Sequence, residues 1–314
     1  MFSRIILITK KYGLKFIYSL LIQKINSMQS FFNNQQTKKD IELLYHNKLD
    51  ELGIVYEFLK VETSFGDTNI IVTGHADKPP LVLLHGSNGC APIGIEALIA
   101  LVKDFRIYAI DIVGQPNLSA GIRPSMQNDD YGQWMFEILS RLNVWNVTLV
   151  GISFGGFISW KTLVFDARRI SSTFLIVPAG IVNGNPLKAF WKIFLPMKLY
   201  KWRKNTKYVH QFLNELFTEE DEFAFAYLSK VFLHFEMDFS SIPLIKKEEA
   251  QKIKTPIHIV AADNDLLFPG GKMIQRARQI LPSLEDILLL KNSKHVPNQN
   301  GNDQITELIK NHSK

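Results

Sequence analysis

From residue 40 onward, short apolar runs alternate with segments of helical spacing. Ile41, Leu44, Tyr45 and Leu49 form one such helical stripe, which stops before Gly53. Apolar runs at 55–61 and 69–72, divided by Gly66-Asp67, predict a hairpin. Six further runs lie at 81–84, 107–110, 147–150, 173–177, 256–260 and 287–290. They are short and nearly continuous rather than alternating, as strands covered on both faces of a parallel sheet must be. Helices are expected at 92–102, 130–142, 156–167, 272–280 and 303–310. Alternation of this kind predicts an α/β fold: a mostly parallel central sheet flanked by helices, joined by right-handed crossovers.

One region breaks the rhythm. Between residues 181 and 250 the strand signals stop, and aromatic side chains such as Trp191, Tyr200, Phe212 and Phe232 recur at helical spacing. An insertion of this length after a central strand is expected to be a helical cap over an active site, with most of its aromatics forming the cap's own core. The expected organisation is an amino-terminal extension at 1–39, a core at 40–180 and 251–314, and a cap at 181–250.

Charge sharpens the first of these units. The 314 residues hold 36 Lys and Arg against 30 Asp and Glu, a formal net charge of +6. Residues 1–39 contain seven of the basic residues and no acid, so positions 40–314 carry 29 basic against 30 acidic residues. A nucleic-acid partner is therefore not expected of the body. Within the extension, Leu14, Ile17, Tyr18, Leu21, Ile25, Met28 and Phe32 share one helical stripe, with lysines on other faces. Two readings are open: a basic amphipathic helix on an anionic membrane surface, or a helix packing on the protein itself or a second subunit. Asn33 to Thr37 reads as a flexible joint. No run of about 20 apolar residues exists to span a bilayer, and no signal-peptide pattern is present. The single cysteine, Cys90, excludes an internal disulfide and a multi-cysteine zinc site, and points to a cytoplasmic, reducing setting.

The candidate chemistry lies in loops that follow the apolar runs. Gly151-Ile152-Ser153-Phe154-Gly155-Gly156 stands between a strand and a helix. There a sharp turn would strain the serine backbone, small flanking residues would prevent collisions, and the helix amino end would favour negative charge on the serine oxygen. Leu84-His85-Gly86-Ser87-Asn88-Gly89 ends another strand in a small-residue loop. Its backbone can turn N–H groups toward a substrate oxygen, with the amides of Ser87 and Phe154 as the expected oxyanion donors. His85 and Gly86 are expected to support the loop rather than react.

This ordered set resembles the α/β-hydrolase fold family over residues 50–314, and within it the capped carboxylesterase-type members. Asp111-Ile112-Val113-Gly114-Gln115-Pro116-Asn117-Leu118-Ser119 is similar to the family's Asp-x-x-Gly-x-Gly-x-Ser loop, departing from it at Pro116 and Asn117. The resemblance implies a structural role for Asp111. It also implies an acid in Ala262-Asp263-Asn264-Asp265-Leu266-Leu267-Phe268-Pro269, where both aspartates qualify by position. Asp265, four residues before the proline, matches the family's habit, and Asp263 is the alternative. The base is expected at His295, after the last strand, although Lys294 replaces the glycine often found before this histidine. His258 is expected to be a packed strand residue and Cys90 a small buried hydrophobe. No histidine pair has metal-ligand spacing.

The chain order Ser153, Asp265, His295 is nucleophile, acid, base. The expected function is a cofactor-free and metal-free serine hydrolase acting on a small-molecule carboxylic ester. The alternatives are a lipase, thioesterase, acyltransferase or carbon–carbon bond hydrolase on the same fold, or a catalytically silent binding protein. Peripheral membrane contact is expected, if anywhere, through residues 1–39.

Overall fold

A computed structural model describes residues 31–313. The extension's stripe from Leu14 to Met28 lies outside the described residues. Its last member, Phe32, is described, and its ring meets Phe235 edge-on at 5.0 Å between centroids. The stretch expected as a flexible joint is the start of a helix instead. Asn34 caps α1 (Gln35–Glu51), its side chain accepting the Thr37 N–H at 2.7 Å. Asparagine is among the residues best suited to that position, because it satisfies one of the helix's unpaired amides.

After α1 come β1 (Tyr56–Thr63), β2 (Gly66–Thr73), β3 (Pro80–Leu84), α2 (Ala91–Ala97) and β4 (Arg106–Ile110). They are followed by α3 (Asp130–Leu142), β5 (Val147–Ile152), α4 (Phe154–Phe165) and β6 (Ile170–Ile176). Five helices then intervene: α5 (Pro186–Ala189), α6 (Leu195–Arg203), α7 (Lys207–Leu216), α8 (Glu222–His234) and α9 (Lys247–Ala250). A π-helical segment (Phe190–Phe194) joins α5 to α6. The chain closes with β7 (Ile257–Ala262), α10 (Gly270–Ile280), β8 (Leu284–Leu290) and α11 (Gln299–His312).

Each of the eight expected strands is present, displaced by a few residues at its ends. The hairpin turn is the clearest displacement. Thr63 pairs with Gly66, so the loop is Ser64-Phe65 rather than Gly66-Asp67. Gly66 closes the turn at φ +90°, a conformation that glycine adopts at little cost.

The strands form one sheet in the order β1-β2-β4-β3-β5-β6-β7-β8. β2 pairs antiparallel with both β1 and β4, and every pairing from β4 to β8 is parallel. Alternate side chains serve two cores. In β3, Val82 and Leu84 join α3, α4 and α10 on one face, while Leu81 and Leu83 join α1, α2 and α11 on the other. Because these strands are parallel, the carboxyl ends of β3, β5, β7 and β8 open on one edge. That is where open α/β sheets gather their ligand-binding loops.

Trp134 of α3 is fully buried, and its indole N–H donates to the Thr68 hydroxyl at 3.0 Å. Trp134→Ala should lower the unfolding free energy by about 4 kcal/mol in a denaturant titration, through lost burial plus the cavity left behind. The same truncation at exposed Trp202 should change it by no more than about 0.5 kcal/mol.

Candidate active site

The strand-to-helix reversal at Ser153 organises the site. Ser153 sits at φ +53° and ψ −108°, a strained backbone for a side-chain-bearing residue. Its N–H donates to Ile176 O at 2.8 Å, and its carbonyl accepts the N–H groups of Gly156 and Ala179, each at 3.0 Å. Close approach explains the glycines. A Cβ on Gly155 would lie 2.4 Å from Leu84 O, and one on Gly151 would lie 2.3 Å from Ser159 Oγ. The turn therefore fits between β3 and α4 only with both side chains missing.

Opposite Ser153 stands His295, in the loop between β8 and α11. Its Nε2 lies 2.9 Å from Ser153 Oγ, and its Nδ1 lies 2.7 Å from Asp265 Oδ2. The Asp265 side chain is wholly buried. Its second oxygen accepts the N–H groups of Leu267 and Phe268, at 2.8 and 3.0 Å. Burial raises the Asp265 pKa, but the His295 charge and these hydrogen bonds outweigh it, so the carboxyl is held below its usual range. With Nδ1 donating to a carboxylate, Nε2 is left as the acceptor for the serine hydroxyl.

The alternative acid is placed elsewhere. Asp263 accepts the N–H groups of Asn292 and Ser293, at 3.1 and 3.2 Å, and so ties down the loop that leads to His295. A second anchor, Thr218, was not singled out from the sequence. Its hydroxyl donates to Val296 O at 2.8 Å and accepts the Lys294 N–H at 3.0 Å, gripping the chain on both sides of His295. Leu216 O accepts the Val296 N–H at 2.8 Å, so the chain just after α7 runs beside this loop. Nothing in the spacing of residues 214–220 signals this role, because it depends on a contact between segments some 80 positions apart.

The loop after β3 completes the site. A Cβ on Gly86 would stand 3.5 Å from Ser153 Cβ, so this backbone lies against the serine. Phe154 is the first residue of α4, where a helix leaves N–H groups without intrahelical partners. Ser87 is exposed on the loop, whose Gly89 N–H closes back on Gly86 O at 3.2 Å. His85 is buried. Its Nε2 lies 3.0 Å from the donating Ile112 N–H and 3.2 Å from the Asn117 amide, so Nδ1 is the nitrogen that donates to Gly86 O, at 2.7 Å. Burial pushes its pKa down to about 4, keeping the ring neutral. Asp111 is also buried. It accepts the Tyr45 hydroxyl, the Asn69 amide and the Ala91 N–H, at 2.8–2.9 Å. Cys90, next to this network, is wholly buried, and burial pushes its thiol pKa up. Among the described residues, no group of three or more His, Cys, Asp or Glu side chains could hold a metal ion.

Comparison with known proteins follows the same geometry. A family model for the alpha/beta hydrolase fold matches residues 79–243. The chain is 24% identical over 268 residues to an uncharacterised carboxylesterase, nap, of Bacillus subtilis (strain 168), covering 80% of this chain and 85% of that one. It is 32% identical over 135 residues to carboxylesterase YbfK of the same organism, 43% of this chain and 46% of that one. Among solved structures, the naproxen esterase of Bacillus subtilis matches with a TM-score of 0.74 at 21% identity, covering 87% and 96% of the two chains. A hydrolase-like protein from the same organism matches with a TM-score of 0.78 at 20% identity, covering 90% and 100%. At such identities the likeness to these structures is one of fold.

Two buried groups oppose one another in acid. His85 has a folded pKa of about 4 against an ordinary 6.5, so the unfolded chain binds more protons across that window and stability falls as pH drops through it. Asp111 is pushed up by burial to about 6 from 3.8, so the folded chain binds more protons there and acid relieves a cost. Each effect amounts to about 3 kcal/mol, at about 1.4 kcal/mol per pKa unit. Asp111→Asn removes only the relief. Between pH 6.5 and 4 its unfolding free energy should fall relative to wild type by about 3 kcal/mol, read from urea titrations at each pH.

Proposed function

The chain belongs to the α/β-hydrolase fold family, and from that membership we propose that it is a serine carboxylesterase. The observation that carries the reading is the hydrogen-bonded line Asp265–His295–Ser153, with spacings of 2.7 and 2.9 Å. The two Bacillus subtilis relatives are named carboxylesterases, which favours an ester over the other bonds this fold can cleave.

In this mechanism His295 Nε2 takes the proton from Ser153 Oγ as that oxygen attacks the acyl carbon. The carbonyl electrons move onto oxygen, where the N–H groups of Ser87 and Phe154 stabilise them. Collapse of the tetrahedral adduct breaks the ester C–O bond, and His295 returns its proton to the departing alcohol. A water molecule, deprotonated by His295, then attacks the acyl-enzyme, releasing the acid and regenerating Ser153. Asp265 holds the imidazole in one tautomer and stabilises its charged form. Asp263 and Thr218 fix the loop and so the direction of the ring. Helices α5 to α8 and their aromatics are proposed to cap the site and receive an apolar acyl or alcohol portion.

Ser153→Ala should fold normally, lose p-nitrophenyl ester turnover by roughly 10⁴-fold or more, and fail to react with a fluorophosphonate probe. A wild-type protein inert to both reagents at neutral pH would overturn the proposal. The two aspartates separate by degree. Asp265→Ala should lower kcat by about 10³-fold or more, because the imidazole loses its orienting charge. Asp263→Ala should cost about tenfold and also lower thermal stability, because it frees the loop but leaves the acid in place. Equal losses for the two would assign the acid wrongly.

A further inference from the structure

The near-neutral charge of residues 40–314 conceals a strong asymmetry. Between Asp166 and Glu215 the chain has no acidic residue but carries nine Lys or Arg, leaving twenty basic against thirty acidic residues in the rest of 40–314. Seven of these cations fall within the 22 residues from Pro186 to Lys207, on α5, the π-helical segment, α6, the turn after it and the first residue of α7. All seven side chains are exposed.

The same stretch exposes its large apolar side chains. Leu187, Phe190, Trp191 and Phe194 follow the spacing i, i+3, i+4, i+7 of one helix face, and they are 67%, 42%, 59% and 37% exposed. Trp202 at the end of α6 is 73% exposed. Phe239, 63% exposed, packs edge-on against Phe194 at 6.1 Å between centroids. The inward face of these helices is accounted for by a small core of its own around Tyr200, Tyr208 and Phe212. Apart from the Phe194–Phe239 contact, the outward stripe is left exposed. Among the described residues, only Lys192 of the seven cations is paired with an acid, Glu215, at 2.9 Å.

We propose that this face of α5 and α6 docks on an anionic lipid bilayer. The combination selects that occupant. An aqueous polyanion would use the cations but gain nothing from exposed Trp, Phe and Leu, and an apolar protein groove would gain nothing from six cations without an acid partner. An interfacial helix uses both: aromatic and aliphatic side chains enter the headgroup region while flanking lysines meet lipid phosphates. No helix among the described residues is long and apolar enough to cross a membrane, so the contact is peripheral. The surface is formed by residues outside 1–39 and does not depend on any role for Ser153.

The test sediments the full-length protein with vesicles of phosphatidylcholine, alone or doped with phosphatidylglycerol. Wild type should bind the doped vesicles and release from them at high salt. Lys188→Glu/Lys198→Glu/Lys201→Glu should weaken that partition by about a hundredfold or more, each basic residue near the surface counting for about fivefold. Trp191→Ala/Trp202→Ala should weaken it by about tenfold with every charge kept. These substitutions are at exposed positions, and both variants should keep the wild-type thermal transition. Failure of wild type to bind, equal binding to both vesicle types, or wild-type binding by either variant overturns the proposal. In the last case the contact lies elsewhere, with residues 1–39 next to be examined.

Discussion

The whole site depends on a single reversal of direction at Ser153, where a buried parallel strand must become a buried helix without room for a loop. That constraint accounts for the left-handed serine and for glycines on either side of it whose missing Cβ atoms would collide with Leu84 O and Ser159 Oγ. It also accounts for the use of the serine carbonyl as the acceptor for both the following helix and the chain after β6. Strain of this kind persists only where neighbouring structure over-determines the backbone. Here β3 and β6 lie on either side of β5, so the turn is held from both flanks.

From that fixed point the remaining parts are matters of reach. Parallel pairing places the ends of β7 and β8 on the same edge as the end of β5, so Asp265 and His295 arrive on short loops from strands two and three places away. A loop free to move would spread the His295 ring over many orientations, and a misplacement of an ångström at a reacting centre is expensive. Asp263 from one side and Thr218 from the other restrain it. The helical insertion thus has two physical roles: it braces His295 through the chain after α7, and it presents a basic, aromatic face outward through α5 and α6.

That outward face illustrates how an average can hide a distribution. A net charge near zero over residues 40–314 argues against a polyanion partner only if charge is evenly spread, and it is not. The local field near α5 and α6 is set by cations with one acid partner among them. At physiological ionic strength, charges more than about 8 Å away contribute little to it.

The sequence by itself determined the fold class and singled out Ser153. Eight strands could be read because continuous apolar runs are the direct signature of strands buried on both faces, and Ser153 could be read because a steric requirement for glycine is written locally as Gly-x-Ser-x-Gly. His295 was legible from its place after the last strand. The hairpin turn was misplaced because Thr63 and Gly66 close it by pairing across strands, and the start of α1 was missed because a lone asparagine cap reads like any polar residue in a loop. Only the tertiary structure told Asp263 and Asp265 apart, since both stand in one loop and differ in which neighbour each carboxyl reaches, the His295 ring for Asp265 and the backbone before it for Asp263. It alone revealed Thr218, whose partners lie about 80 residues away, and it alone showed which aromatics of the insertion turn inward and which face water. Local sterics and periodicity are encoded in neighbouring residues. Partner choice and exposure are properties of distant segments brought together by the fold.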